Sequence, residues 1–461
     1  MLKVVEGSLM ICVTAAVLAF GGTEPISFAA IEIVLLGTAA ATLYTFKEFT
    51  RPKSMGIVAV PGALIALVAF QLLPLPAGVL RWLRPEPAVR EAMPLQNAGI
   101  NFFPLSIAPY LTRSHALILV CCVIAFFFAW ILGKERESRR RLMTWLVVLG
   151  AFEALYGLIQ YLSGWQRIFS YVKKYNLEEA TGTYINRNHY AGLLEMAIPF
   201  GLALVVYENS RLGRRGRPTK GIKGFIAGEN LSRVGLPLFA TIVMIAGLIF
   251  SRSRMGILAG TSSLAIMAIF SGLHRRTALW LAALVTICAA LLVLWIGAGN
   301  AFGRFGDIGQ EYSSGDESRV SIWKDTARLI GGHPLFGSGL GTFPVAFTAV
   351  QRTFLGKFVN HAHNDYLELA NDVGIPGATL LFGSIGVVVA RLARKTLYGE
   401  GSFERTAALA CLASIGAILL HSLTDFNLYI PANALVVSTI LGMGVAITST
   451  CGRGMRQRSE A

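Results

Sequence analysis

The sequence predicts an all-α integral membrane protein of about 12 transmembrane helices, with one large outer loop between helices 9 and 10. Three observations predict it. Hydrophobic residues make up 54% of the 461 residues and charged residues only 15%, where a soluble domain carries about a quarter. The apolar residues come in runs close to the roughly 20 residues a helix needs to cross the hydrocarbon core. Lys and Arg, finally, divide unevenly between loops that would alternate across a bilayer.

The runs can be taken in order. The first, 7–22, follows Met1, Leu2 and Lys3. It lacks a small-residue cleavage site and the run 27–46 follows at once, so it reads as a retained helix rather than a signal peptide. The third, 56–73, contains Pro61, which a membrane helix tolerates when its neighbours satisfy the freed backbone. Runs at 114–133, 142–163 and 189–207 follow, then 235–250, 255–272 and 278–297. The last three are 371–390, 406–423 and 428–448, the final one with Pro431. The chain therefore divides into N-terminal spans in 1–133, spans in 134–297, a loop at 298–370, C-terminal spans in 371–450 and a tail at 451–461. Within the first part, 74–113 is a proline-rich outer segment with Trp82. The loop 298–370 is too long for a plain connection, and long ordered loops are usually functional.

With the N-terminus inside, 25 of the 41 Lys and Arg fall on the cytoplasmic face and 16 on the opposite one, although the opposite loops are longer. That bias places both termini in the cytoplasm. It also accounts for the net charge of +15 without nucleic acid: the basic runs 134–141 and 211–223 set topology and meet lipid headgroups. Of the six cysteines, five lie in spans and Cys451 in the tail. None has metal-ligand spacing and no disulfide framework is readable; they read as small packing residues.

Ionisable residues at membrane depth are costly and usually functional, and several groups gather at the outer face. Arg252 and Arg254 sit in a short hairpin between spans seven and eight; an anionic ligand or snorkelling to lipid phosphate would account for them. Asn186, Arg187, Asn188 and His189 lead into span six, where ligand contact and helix capping are equally served; Glu195, deeper in that span, has no evident sequence partner. In the large loop, Arg319 and Trp323 open a helical stretch. A helix start with an arginine suits phosphate, although Arg319 could instead pair with Asp316 or Glu317. The run 336–343 is rich in glycine; it can cradle a phosphate with its N–H groups or simply turn tightly. Asn360, His361, His363, Asn364, Asp365 and Glu368 precede span ten. Histidine is the side chain that accepts a proton near neutral pH, while His-x-His-x-Asp is also metal-ligand spacing, here without a matching ligand set elsewhere. Last, His421 and Asp425 join spans eleven and twelve; Asp425 can tune a histidine or satisfy backbone.

These residues resemble the O-antigen ligase and O-antigen polymerase family of bacterial envelope assembly. That family has His, then Asn, Ser or Gln, nine residues, and Gly-x-x-Gly; here it reads His363, Asn364, 365–373, Gly374 and Gly377. Supporting stretches are Ser253 to Gly256, Arg319 to Trp323, Pro334 to Gly341 and His421 to Asp425. The resemblance covers roughly 180–435; the first six spans match only in general character. It implies glycosyl transfer, without metal or cofactor, from a glycan on undecaprenyl diphosphate to a glycan or lipid acceptor at the periplasmic face of the inner membrane, alongside polysaccharide-assembly proteins. Arg254 and Arg319 would bind the diphosphate and His363 would be the base, with Arg252 and His361 able to share or take these roles. Asn186, Arg187, His189, Asn364, Asp365 and Asp425 would complete the substrate site. The competing expectation is a transporter or flippase of lipid-linked glycans, which would hold its polar residues near the bilayer midplane on broken helices.

Overall fold

The computed structural model describes residues 1–45, 56–83, 101–214, 231–270, 287, 315–351, 358–398 and 402–449. Its helices follow the apolar runs. Helix α1 spans Leu2–Leu18, α2 Pro25–Thr45 and α3 Gly56–Leu72. The outer segment after α3 forms a small ribbon of β1 (Pro74–Pro76) and β2 (Phe102–Pro104), with the short α4 (Ala77–Leu83) between them. Then come α5 (Pro109–Leu132) and α6 (Arg136–Ser163), and a second ribbon of β3 (Arg167–Ile168) with β4 (Tyr171–Val172). Helices α7 (Arg187–Arg214), α8 (Leu236–Phe250) and α9 (Arg254–Phe270) follow. The large loop contributes α10 (Gly315–Gly332) and α11 (Phe343–Thr348). Helices α12 (Asp365–Tyr398), α13 (Ser402–His421) and α14 (Pro431–Ser449) complete the bundle.

Eight of the described helices are long and apolar enough to cross a membrane: α2, α5, α6, α7, α8 with its preceding turn, α12, α13 and α14. Helices α3 and α9 are shorter apolar helices, and α1 has 17 residues. Each of the expected runs thus falls on a helix except 278–297, which apart from Ile287 lies outside the described residues. The same holds for 298–314 of the large loop and 84–100 of the first outer segment.

The centre of the bundle is α7, α13 and α14, whose most apolar windows are 83%, 67% and 78% buried, against 22% for the peripheral α2. Small residues let these helices approach, as small-residue stripes do in membranes. A Cβ on Gly442 of α14 would lie 2.1 Å from the Phe126 carbonyl oxygen of α5.

One irregularity positions the site. Helix α12 breaks at Gly374, which adopts φ 75° and ψ 166°, with Pro376 two residues on. The segment after α10 is sewn into the break. Ser338 and Gly339 donate to the carbonyls of Asn371 and Asp372, and Ile375 donates to that of Pro334. Gln71 of α3 completes the junction: its amide nitrogen reaches the Phe336 and Asp372 carbonyls at 2.6 and 2.8 Å, and its oxygen accepts from Leu340 N–H at 3.1 Å. The loop is therefore held to α12 and α3 by buried, satisfied polar groups.

Gly374→Ala would place a Cβ 2.3 Å from the Leu335 carbonyl oxygen in a left-handed conformation. We expect a loss of about 1–3 kcal/mol, seen as a lower thermal unfolding midpoint of the detergent-solubilised protein. An unchanged midpoint would contradict this account of the break.

Candidate active site

At one end of the bundle, α5, α10, the turn entering α7, the segment before α12 and the α13–α14 turn enclose a cavity of about 680 Å³. Asn186, His189, Arg319, His361 and His363 all line it. Residues separated by more than 170 positions in the chain meet here.

The start of α12 supplies the histidines. Asn364 caps that helix: its side-chain oxygen accepts from Tyr366 and Leu367 N–H at 3.0 Å, and its amide donates to the Leu423 carbonyl. Asp365 is fully buried, accepting from the Ser422 hydroxyl at 2.6 Å and from Leu428 N–H at 3.2 Å. Both side chains are thus occupied within the fold. His363 adopts φ 51°, a left-handed conformation that only surrounding structure can maintain. Its Nδ1 lies 3.8 Å from Asp425 Oδ1.

Asp425 itself is buried beneath two imidazoles. His189 Nε2 is 3.7 Å from the same oxygen, Asn188 donates to Oδ2 at 2.5 Å and Phe426 N–H to Oδ1 at 2.9 Å. Burial pushes this carboxyl up, but the imidazoles of His189 and His363 close to its oxygen, with the charge of His189 and His421, outweigh it and hold it well below the usual carboxylate range. Asp425 also serves the backbone, since its carbonyl accepts from Asp365 N–H at 3.2 Å.

His361 has a different environment. Its ring stacks on Phe426 with centroids 3.9 Å apart and planes 10° apart, and its Nδ1 lies 2.7 Å from Glu368 Oε1. Ala362 N–H donates to the other Glu368 oxygen at 2.7 Å, while Trp323 Nε1 donates to the Ala362 carbonyl at 3.0 Å. Trp323 thus anchors the histidine segment to the helix that carries Arg319. The side chains of Asp316 and Glu317, the alternative partners for Arg319, lie outside the described residues.

Other expected residues stand apart. Arg187 pairs with Glu179. Arg252, at φ 52°, points to Glu178 at 3.5 Å, and Arg254 is exposed at the start of α9; neither lines the cavity. Glu195 does have a partner: His421 Nδ1, 3.0 Å away, in a pair with no solvent exposure between α7 and α13. The glycine-rich run is a tight turn. Gly337 through Thr342 donate every backbone N–H to protein acceptors: the His333, Asn371, Asp372 and Gly339 carbonyls, the Gln71 side chain and the Asp372 carboxylate. None is left for a phosphate. Gly341 instead makes room for the His115 ring, which a Cβ would meet at 2.2 Å.

Two lining residues were not marked in the sequence, His115 and Tyr429, and a third, Glu368, was named with the histidines but given no role. His115 sits at the start of the fourth apolar run and Glu368 just before the tenth, in the first turn of α12, and an ionisable group at a span's end is the signal that marks such positions. Among the described residues, no group of three or more His, Cys, Asp or Glu side chains is placed to hold a metal ion. Residues 239–382 match the model of a protein family described as O-antigen ligase. No curated protein matches the chain.

Burial pushes the His361 imidazole down to about 4, against the opposing charge of Asp425. Between its ordinary value of 6.5 and about 4, the unfolded chain binds a proton here that the folded chain excludes. Stability present above that window is therefore lost as pH falls through it. His361→Asn should flatten this part of the stability–pH curve of the purified protein; an unaltered slope would count against the assignment.

Proposed function

We propose, from the match of residues 239–382 to the O-antigen ligase family model, that the chain is a membrane glycosyltransferase moving a glycan from undecaprenyl diphosphate to a sugar hydroxyl. The observation that carries this reading is one cavity lined by Arg319 together with His361 and His363. Such a reaction has two demands. Negative charge building on the leaving diphosphate must be stabilised, which preorganised arginine does. The acceptor hydroxyl must lose its proton, which a positioned histidine assists by about 10²–10⁴-fold.

In the proposed step, the hydroxyl oxygen attacks the anomeric carbon, whose bond to the diphosphate oxygen breaks. The diphosphate leaves with the electron pair, and the proton passes to a histidine of the 361/363 pair. Holding donor and acceptor in line within the cavity supplies much of the remaining acceleration. Asn186 and His189 are placed to hydrogen-bond the glycans. Arg252 and Arg254, at the ends of α8 and α9, would meet the donor's phosphates on their way from the membrane. The charge bias across the loops supports an opening on the periplasmic side, with both termini cytoplasmic. The broken helix α12 does not favour a transporter, because the polar groups at its break are consumed by the loop and Gln71.

Arg319→Ala and, separately, the double change His361→Asn with His363→Asn should each lower transfer by about 100-fold or more. Asparagine is chosen because it tolerates the left-handed backbone at 363. The measurement is envelope glycan length and lipid-linked donor in cells, with variant abundance in the membrane checked. Donor should accumulate; full activity in both variants would sink the reading. Single repeat units in the residual product would point to a polymerase, and long chains still on the carrier lipid to a ligase.

A further inference from the structure

His361 and His363, two of the four histidines that line the cavity, are held very differently, and the difference rests on Glu368. This side chain is 1% exposed, yet it borders the cavity and uses both carboxylate oxygens. One meets His361 Nδ1 at 2.7 Å and the other accepts Ala362 N–H at 2.7 Å. Trp323 fixes the Ala362 carbonyl, and Phe426 stacks on the His361 ring. A ring clamped by its face and its Nδ1 edge has only its Nε2 edge to offer the cavity. By contrast, His363 Nδ1 has no hydrogen-bond partner among the described residues. Of these two, only His361 has a hydrogen bond at Nδ1 through which its tautomer can be set.

We infer that Glu368 is a positioning residue for glycosyl transfer: it keeps the His361 proton on Nδ1, so that Nε2 is the acceptor presented to the incoming sugar hydroxyl. This rests on the transferase reading above. As the hydroxyl oxygen bonds to the anomeric carbon and the diphosphate leaves with the electron pair of the broken bond, the hydroxyl proton moves to Nε2. The imidazolium so formed stays hydrogen-bonded to the Glu368 carboxylate, the arrangement by which a buried acid supports a histidine base.

Glutamine cannot substitute. A carboxylate accepts at both oxygens, whereas an amide accepts at one and donates at the other. If the amide oxygen serves Nδ1–H, the NH₂ faces the Ala362 N–H, donor against donor. If it serves Ala362, the NH₂ donates to Nδ1 and the ring proton is forced to Nε2, which removes the acceptor.

The test uses the full chain in lipid nanodiscs, a synthetic polyprenyl-diphosphate glycan as donor and a sugar acceptor. Glu368→Gln and His361→Asn should each lower kcat about 100-fold while donor KM stays within about twofold. The double variant should be no slower than His361→Asn alone, because Glu368 acts through His361. Glu368→Asp, which retains a carboxylate, should recover part of kcat. A wild-type kcat in Glu368→Gln, losses that multiply in the double variant, or a loss explained by a fallen thermal midpoint and raised donor KM would each overturn the inference. If Arg319→Ala and His363→Asn abolish transfer while Glu368→Gln and His361→Asn retain it, the transferase reading stands and this inference falls. Full activity in all four would instead remove the transferase reading itself.

Discussion

A carboxylate buried at the start of a helix must be given donors, and the way Asp365 obtains them organises the site. Its oxygens accept from Ser422 and from Leu428 N–H, while its own N–H donates to the Ser422 and Asp425 carbonyls. These bonds join the first turn of α12 to the turn between α13 and α14. An unsatisfied buried carboxylate would cost several kcal/mol, so the two segments are obliged to meet. Their meeting places Asp425 and Phe426 beneath His361, His363 and His189. Asp365 touches no open space, yet the cavity's geometry depends on it.

The second constraint is the break in α12. A helix interrupted at Gly374 exposes carbonyls and amides that lipid cannot satisfy. Here the loop after α10 satisfies them, with Gln71 reaching in from α3. In doing so the loop brings α10, and with it Arg319, over the histidines. Trp323 completes the link by binding the Ala362 carbonyl. Structural bonding and site assembly are the same interactions, and a change at the break should be felt at the cavity.

Charge is distributed to match. One end of the bundle keeps an arginine over a cavity lined by four histidines: His115, His189, His361 and His363. Its buried carboxylates do different work. Asp425 is held ionised beneath its imidazoles, whereas Glu368 is committed at both oxygens to the segment it supports. Two carboxylates close to one cavity can thus take separate roles because their hydrogen-bond partners differ.

Much was legible in the amino-acid order. Apolar runs near 20 residues marked the helices, because a bilayer demands a minimum span. The same rule exposed the polar exceptions Arg319, His361, His363, His189 and Asp425. Hydrogen-bond partnerships were not legible, since they depend on residues far apart in the chain. Glu195 showed no partner until α13 brought His421 to it. The glycine-rich run could have cradled a phosphate, and only its contacts with Asn371, Asp372 and Gln71 made it a structural turn. Sequence alone determined a membrane-embedded helical protein with arginine and histidine at one face, because burial cost is written residue by residue. The tertiary structure decided which of those residues share a cavity and which carboxylate stands behind which histidine, because distance and hydrogen-bond direction exist only once the helices have packed.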